Sequence, residues 1–244
     1  MAVMVEQLKV DSVDRTEVLR YLGHRGQEVT PELEARLDAA VARCLEVARP
    51  RACLRSFDVA ERTVRGDGTP ELRLKDCALC LEGASIAEHL AGAVAVGVMA
   101  VTLGVGVDQE LRRLSLTDPL GQVLFDAAAT AAIERAADAA EALLVADAAA
   151  GGLHTNWRFS PGYGDLPLFC QPTLLAALDA QRRLGVTLTP SMLMVPTKSV
   201  TAVVGYFDSP QVGARPGCAA CNLRDWCTLR KAGTPCTGGL RQKG

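Results

Sequence analysis

Cys218, Cys221, Cys227 and Cys236 fall within nineteen residues, the first two at Cys-x2-Cys spacing, in a chain of 244 residues. Four thiolates in so short a stretch form a ligand set for Zn²⁺ or for an iron–sulfur cluster, and spacing alone does not separate the two. Arg224, Arg230 and Lys231 are interleaved with them and would offset thiolate charge, while the scarcity of apolar residues leaves a bound metal to supply the folding energy. A second concentration of chemistry is His154–Gln171, HTNWRFSPGYGDLPLFCQ, which gathers Trp157, Phe159, Tyr163 and Phe169 among prolines and glycines although aromatics are only 4% of the chain. A loop fixed by Pro and Gly holds backbone groups near a ligand; Arg158 suits a carboxylate, and Tyr163 offers a ring and a hydroxyl. The competing reading is a rigid connector whose aromatics cap the core. Cys77-Ala-Leu-Cys80 is a weaker pair, because on a strand its two side chains point to opposite faces. Cys44, Cys53 and Cys170 read as core or surface thiols.

Familiar catalytic signatures are missing from the sequence: it contains no GxxxxGK[ST], no HExxH, no GxSxG, and no GxGxxG following a strand. His24, His89 and His154 are widely separated, so any chemistry would rest on a bound cofactor rather than on a histidine base. Net charge is −2, divided into +5 over residues 211–244 and −7 over the remainder, which is not the broad basic excess of a nucleic-acid binder. Leu90–Val107 carries no charge, yet its four glycines and the Asp108 that closes it fit a helix end and a buried strand better than a membrane span. The first residues lack the apolar core of a signal peptide. With nine cysteines, an odd number, the expectation is a cytoplasmic protein with reduced or metal-bound thiols.

The elements that must position these residues can be read from caps and periodicity. Asp14 with Glu17 opens a helix that Gly23 stops, and Thr30-Pro31 opens a second that ends before Pro50. Residues 52–59 and 71–77 read as strands joined through Gly66–Pro70, and Ser85 with Glu88 caps a short helix. Val94–Leu103 is a buried strand or a tightly packed helix. Residues 121–150 form the longest helix, with Asp126, Thr130, Glu134, Asp138 and Glu141 as a polar stripe on an otherwise alanine-rich rod, the pattern of an amphipathic core helix. Leu174–Leu184 reads as a helix ended by Gly185, and Ser199–Tyr206 as a β-rich run. Helices and strands do not alternate regularly, so the class is α+β, with a body over 1–210 and a basic Cys-rich tail over 211–244.

The block Arg158-Phe-Ser-Pro-Gly-Tyr163-Gly-Asp-Leu-Pro167, followed after a helix by Pro196-Thr-Lys-Ser-Val-Thr201, resembles the activation (reactivation) domain of cobalamin-dependent methionine synthase, with its Arg-x-x-x-Gly-Tyr and Pro-x-x-Ser-Val-Ser motifs. The opening Asp14–Gly26 and the four-cysteine tail are similar to free-standing bacterial relatives of that domain. The resemblance implies a twisted antiparallel sheet with flanking helices, and S-adenosylmethionine as ligand. It also implies a corrinoid-binding partner: methionine synthase or a related corrinoid methyltransferase, whose cob(II)alamin is reductively methylated. By motif match, Arg158 would bind the S-adenosylmethionine carboxylate, Gly162 and Tyr163 would lie against S-adenosylmethionine or the corrin edge, and the Ser199–Val200 backbone would line the site. Tyr206-Phe207 meets the family's aromatic pair with a two-residue offset. Asp165 is a further expected neighbour of the sulfonium, on charge alone. An iron–sulfur centre in the tail could relay an electron, alongside a possible separate donor. The alternatives are a corrinoid-protein chaperone or scaffold with a structural zinc tail, and a sulfur or redox carrier. No nucleic-acid or membrane partner is expected.

Overall fold

A computed structural model describes residues 2–211, 225–227 and 231. The elements in chain order are β1 (Met4–Gln7), α1 (Arg15–Tyr21), α2 (Pro31–Val47), β2 (Arg51–Val64), β3 (Pro70–Leu74), β4 (Cys80–Glu82), α3 (Ala84–His89), β5 (Ala95–Thr102), α4 (Val105–Thr117) and α5 (Pro119–Ala150). There follow β6 (His154–Thr155), a 3-10 turn over Leu168–Cys170, α6 (Gln171–Ala177), α7 (Ala180–Leu184), β7 (Thr187–Leu188), β8 (Met194–Val195) and β9 (Ser199–Phe207). Seven strands form one antiparallel sheet in the order β4-β3-β2-β5-β9-β6, with β1 added to β2, and β7 pairs β8 as a separate hairpin. The expected α+β class and antiparallel sheet with flanking helices are observed.

Apolar side chains cover both faces of this sheet. On one face Leu54, Met99, Val101, Ala202, Val204 and Tyr206 pack with the alanines of α5 and with Leu37 and Cys44 of α2. On the other, Cys53, Phe57, Val96, Val98 and Val203 pack with Ile86 of α3, Leu174 of α6 and Leu184 of α7. This two-sided burial settles the ambiguous segment: every residue of β5 is buried, so it needs no polar alternation and is a central strand. The helix α5 is 32 residues, about 48 Å at 1.5 Å per residue. Asp118 caps it by accepting from Gly121 N at 3.0 Å, and Pro119 occupies its first turn. Alanine on its buried side lets it lie close to the sheet.

Several expectations need revision. Residues 105–117 are a helix, α4, that the sequence reading passed over, because glycine and valine at its start resemble the preceding strand. The helix expected over Leu174–Leu184 is broken in two at Asp179, whose φ is +50°. The strand expected over 71–77 stops at Leu74, where Asp76 turns the chain with φ +53°. No helix of the described residues is long and apolar enough to cross a membrane, and Leu90–Val107 divides among a helix end, β5 and the start of α4.

Candidate functional site

The polar stripe of α5 does not face only water. It receives, in order along the helix, side chains from both motif blocks. Lys198, just before β9, places its ammonium 2.8 Å from Asp126 Oδ1 and 2.9 Å from Thr130 Oγ1. Next comes Arg158, whose Nη2 donates to Glu134 at 2.8 Å while Nη1 donates to Asp138 and Glu141, each at 2.6 Å. Its own backbone N–H donates to Glu141 Oε1 at 2.9 Å. Further on, Tyr206 donates its hydroxyl to Asp147 at 3.0 Å. The stripe is therefore a wall on which the Arg158 loop and the Lys198 segment are fastened.

Arg158 is 13% exposed, and burial alone would weaken its charge. The hydrogen bond to Asp138 and the charges of Glu141, Asp138 and Glu134 outweigh that penalty, so its pKa stands above the ordinary arginine value and it stays cationic. Glu134 and Asp138 are themselves about half exposed, which leaves one side of the cluster open to solvent. One turn toward the helix N-terminus, a cleft of about 360 Å³ is bounded by Tyr21 and Leu22 at the end of α1 and by Gln122, Asp126, Ala127 and Thr130 of α5. Burial raises the Tyr21 pKa, and the charge of Glu134 raises it further, so the phenol stands close to the same acidic stripe. This face of α5 thus carries in succession the Tyr21 cleft with Asp126 and Thr130, the Lys198 ammonium bonded to those two residues, and the Arg158 cluster, which lies further along the helix and outside the lining of the cleft.

The loop that carries Arg158 is fixed from behind. Asn156 accepts from Gly205 N at 2.8 Å and donates to the His89 carbonyl at 2.7 Å, and Phe159 pairs with Val203 of β9. His89 lies between Trp157 and Phe159, with ring centroids 5.2 and 4.9 Å away, and donates through Nε2 to the Trp157 carbonyl at 2.8 Å. Burial lowers the His89 pKa, and the Trp157 carbonyl opposes this only in part, which favours the neutral ring. Of the four aromatics of the segment, Trp157 and Phe159 are held against His89 and Phe159 packs on the core, whereas Tyr163 and Phe169 are exposed.

The other motif residues are spread over the loop, the sheet and the core. Asp165, on the exposed side of the loop, accepts from Ala84 N at 2.7 Å and Ser85 N at 2.9 Å, so each of its oxygens holds the start of α3. Burial raises its pKa, but the amides of Ser85 and Ala84 win, and the net shift is downward. Tyr206 is 2% exposed, inside the core against Gly97, where an added Cβ would sit 2.9 Å from the ring. Its phenol anchors α5 rather than reaching the cleft. Ser199 is buried, donating to the Pro196 carbonyl at 2.7 Å and bonded to Thr102 Oγ1 at 2.9 Å, and Val200 packs into the core beside α5. Gly162, with φ +89°, and the exposed Tyr163 lie on the outer turn of the loop.

Cys218, Cys221 and Cys236 lie outside the described residues, while Cys227 is described and half-buried. Sequence reasoning missed Lys198 and Tyr21, and read the α5 carboxylates only as a stripe. The four-residue spacing of Asp126, Thr130, Glu134 and Asp138 was the available signal; what it lacked was any indication of which cations the fold would bring there.

No protein-family model matches the chain, and no curated protein matches it. Among solved structures, it is similar to the MetH reactivation domain bound to AdoHcy, with 18% identity, a TM-score of 0.60, and coverage of 98% of this chain and 88% of that one. The chain therefore has the fold of the MetH reactivation domain.

Proposed function

We propose that this protein supports the reactivation of a cobalamin-dependent methyltransferase, most simply a methionine synthase, by S-adenosylmethionine-dependent reductive methylation of cob(II)alamin. The observation that carries the reading is the polar face of α5, where the motif residue Arg158 sits among carboxylates one turn beyond the Tyr21 cleft, in the fold of a domain solved with AdoHcy bound. S-adenosylmethionine supplies an electrophilic methyl group from its sulfonium. Arg158 is the residue to hold its carboxylate, exchanging one of its half-exposed partners, Glu134 or Asp138, for that of the ligand. The freed α5 carboxylate and Asp126 then suit the ligand's cationic groups, and Tyr21 offers an aromatic wall. Gly162, Tyr163 and the backbone at Ser199 and Val200 remain the proposed neighbours of the ligand or of the corrin. No residue of the groove is needed as a general base, which fits the absence of a free histidine from it.

The electron is proposed to come from a separate donor or from a centre bound by Cys218, Cys221, Cys227 and Cys236. Iron–sulfur would suit a relay and zinc a structural role.

A second reading is a non-catalytic scaffold for a corrinoid protein. It is favoured by Arg158 already having three carboxylate partners, which is also what a purely structural arginine looks like. The two readings part in a reconstituted assay. A corrinoid methyltransferase in the cob(II)alamin state is mixed with S-adenosylmethionine, a reductant and this protein, and methylcobalamin is followed by its absorbance. Formation that requires the protein supports reactivation; none, with a stable complex of the two proteins, supports the scaffold.

A further inference from the structure

Apart from the α5 groove, one set of metal-binding atoms converges among the described residues, on the pair β3–β4. Glu71 stands directly opposite Glu82, and Arg73 opposite Cys80. Alternation along each strand puts these four side chains on one face, while Leu72 and Leu81 point into the core. The Cys80 sulfur and one oxygen from each of Glu71 and Glu82 lie within 4.8 Å of one another. We propose that Cys80, Glu71 and Glu82 form a site for a thiophilic divalent cation of the Zn²⁺ class, independent of the tail cysteines and of the reactivation reading.

Three features support this. Like charges placed directly across an antiparallel pair repel, and Glu71–Glu82 is such a pair; a cation between them relieves it. The cations now present are Arg65, 2.8 Å from Glu82 and 3.3 Å from Glu71, and Arg73, 3.0 Å from Glu71. Glu71 is buried, so its pairs with these arginines are stronger than open surface pairs, but both guanidiniums are about half exposed and have room to turn into water when an ion displaces them. Alternation along β4 puts Cys80 on the same face as Glu82 and opposite to the buried Leu81, so the sulfur is turned toward the carboxylates and away from the core. Ca²⁺ and Mg²⁺ take all-oxygen shells, whereas one thiolate and two carboxylates suit Zn²⁺, with water in the fourth position. On binding, the thiol proton is released to solvent and a sulfur–metal bond forms; nothing is oxidised or reduced. Cys77, in the loop before β4, is not among the converging donors, so the Cys77-x2-Cys80 spacing is not itself the ligand pair.

The test uses the full-length chain with Cys218, Cys221, Cys227 and Cys236 replaced by Ser, titrated with Co²⁺ under anaerobic, reducing conditions. The expected result is a thiolate-to-cobalt charge-transfer band saturating near about one ion per chain, displaced by Zn²⁺, retained in Cys77→Ser and lost in Cys80→Ser. A Glu71→Gln/Glu82→Gln variant keeps the thiol and should bind at least about tenfold more weakly, which covers the case of a Cys80 variant that fails to fold. No thiolate band in the protein with its four tail cysteines replaced, or a band indifferent to both the Cys80 and the Glu71/Glu82 changes, would overturn the site.

Discussion

Arg158 has two roles that measurements can separate. As a structural residue it joins its loop to α5 through Glu134, Asp138 and Glu141, of which Glu141 is itself buried. Truncating it leaves a buried carboxylate without its cation, and Arg158→Ala should lower stability by about 3 kcal/mol in urea unfolding. A change of less than about 0.5 kcal/mol would mean that water replaces the pair freely. Thiol reactivity provides a second residue-scale check. Burial pushes the thiols of Cys44 up to about 12 and of Cys53 and Cys170 up to about 11, so thiolate is scarce at neutral pH. Mass spectrometry after brief alkylation at pH 8 should find these three unmodified in the native protein and modified in urea; rapid native labelling of Cys44 would show that α2 does not cover it.

Between elements, the joints are ionic or made by caps. Glu110 of α4 is buried and accepts from Arg43 of α2 and Arg113, hydrogen bonds that hold its carboxyl at about 2 against an ordinary 4.5. With the folded pKa depressed, its stabilising contribution is complete above about 4.5 and is lost as pH falls toward 2. Water around the half-exposed arginines reduces that contribution to about 1–2 kcal/mol. Wild type should therefore lose more stability than Glu110→Gln between neutral pH and about pH 3, by roughly half or more of that contribution, and parallel melting curves for the two would contradict the joint. Gly83 is equally constrained: φ is +129° and a Cβ would meet Asp165 Oδ1 at 2.5 Å. Gly83→Ala should cost about 1–3 kcal/mol and loosen the Arg158 loop, seen as faster hydrogen exchange at Phe159 N–H. Much of this level was legible in the sequence. Asp14 and Thr30 cap their helices as expected, and the alanine-rich rod is one long helix. What could not be read was contact between distant segments: Asp165 over the start of α3, Lys198 on Asp126, Tyr206 under Gly97. Those depend on how the sheet brings together segments that are tens of residues apart, and no local spacing encodes it.

At the scale of the whole molecule, the two-faced sheet explains why the two motif blocks act together. The block after β6 runs back along β9, with Phe159 opposite Val203, and both Arg158 and Lys198 reach the one helix α5 that crosses the face beside them. The resemblance identified this pair of blocks from sequence and suggested Arg158; the fold adds the acidic wall and the Tyr21 cleft that a motif does not describe. The proposed function requires that S-adenosylmethionine bind on this face of α5 through Arg158. The most direct measurement is calorimetric titration of S-adenosylmethionine into the wild-type protein and into Arg158→Lys and Arg158→Ala, each first shown by circular dichroism to be folded. Wild type should bind saturably, Arg158→Lys, which keeps the charge but loses the bidentate fork, at least about tenfold more weakly, and Arg158→Ala not detectably. No saturable heat with wild type, or equal affinity in a folded Arg158→Ala, would contradict it.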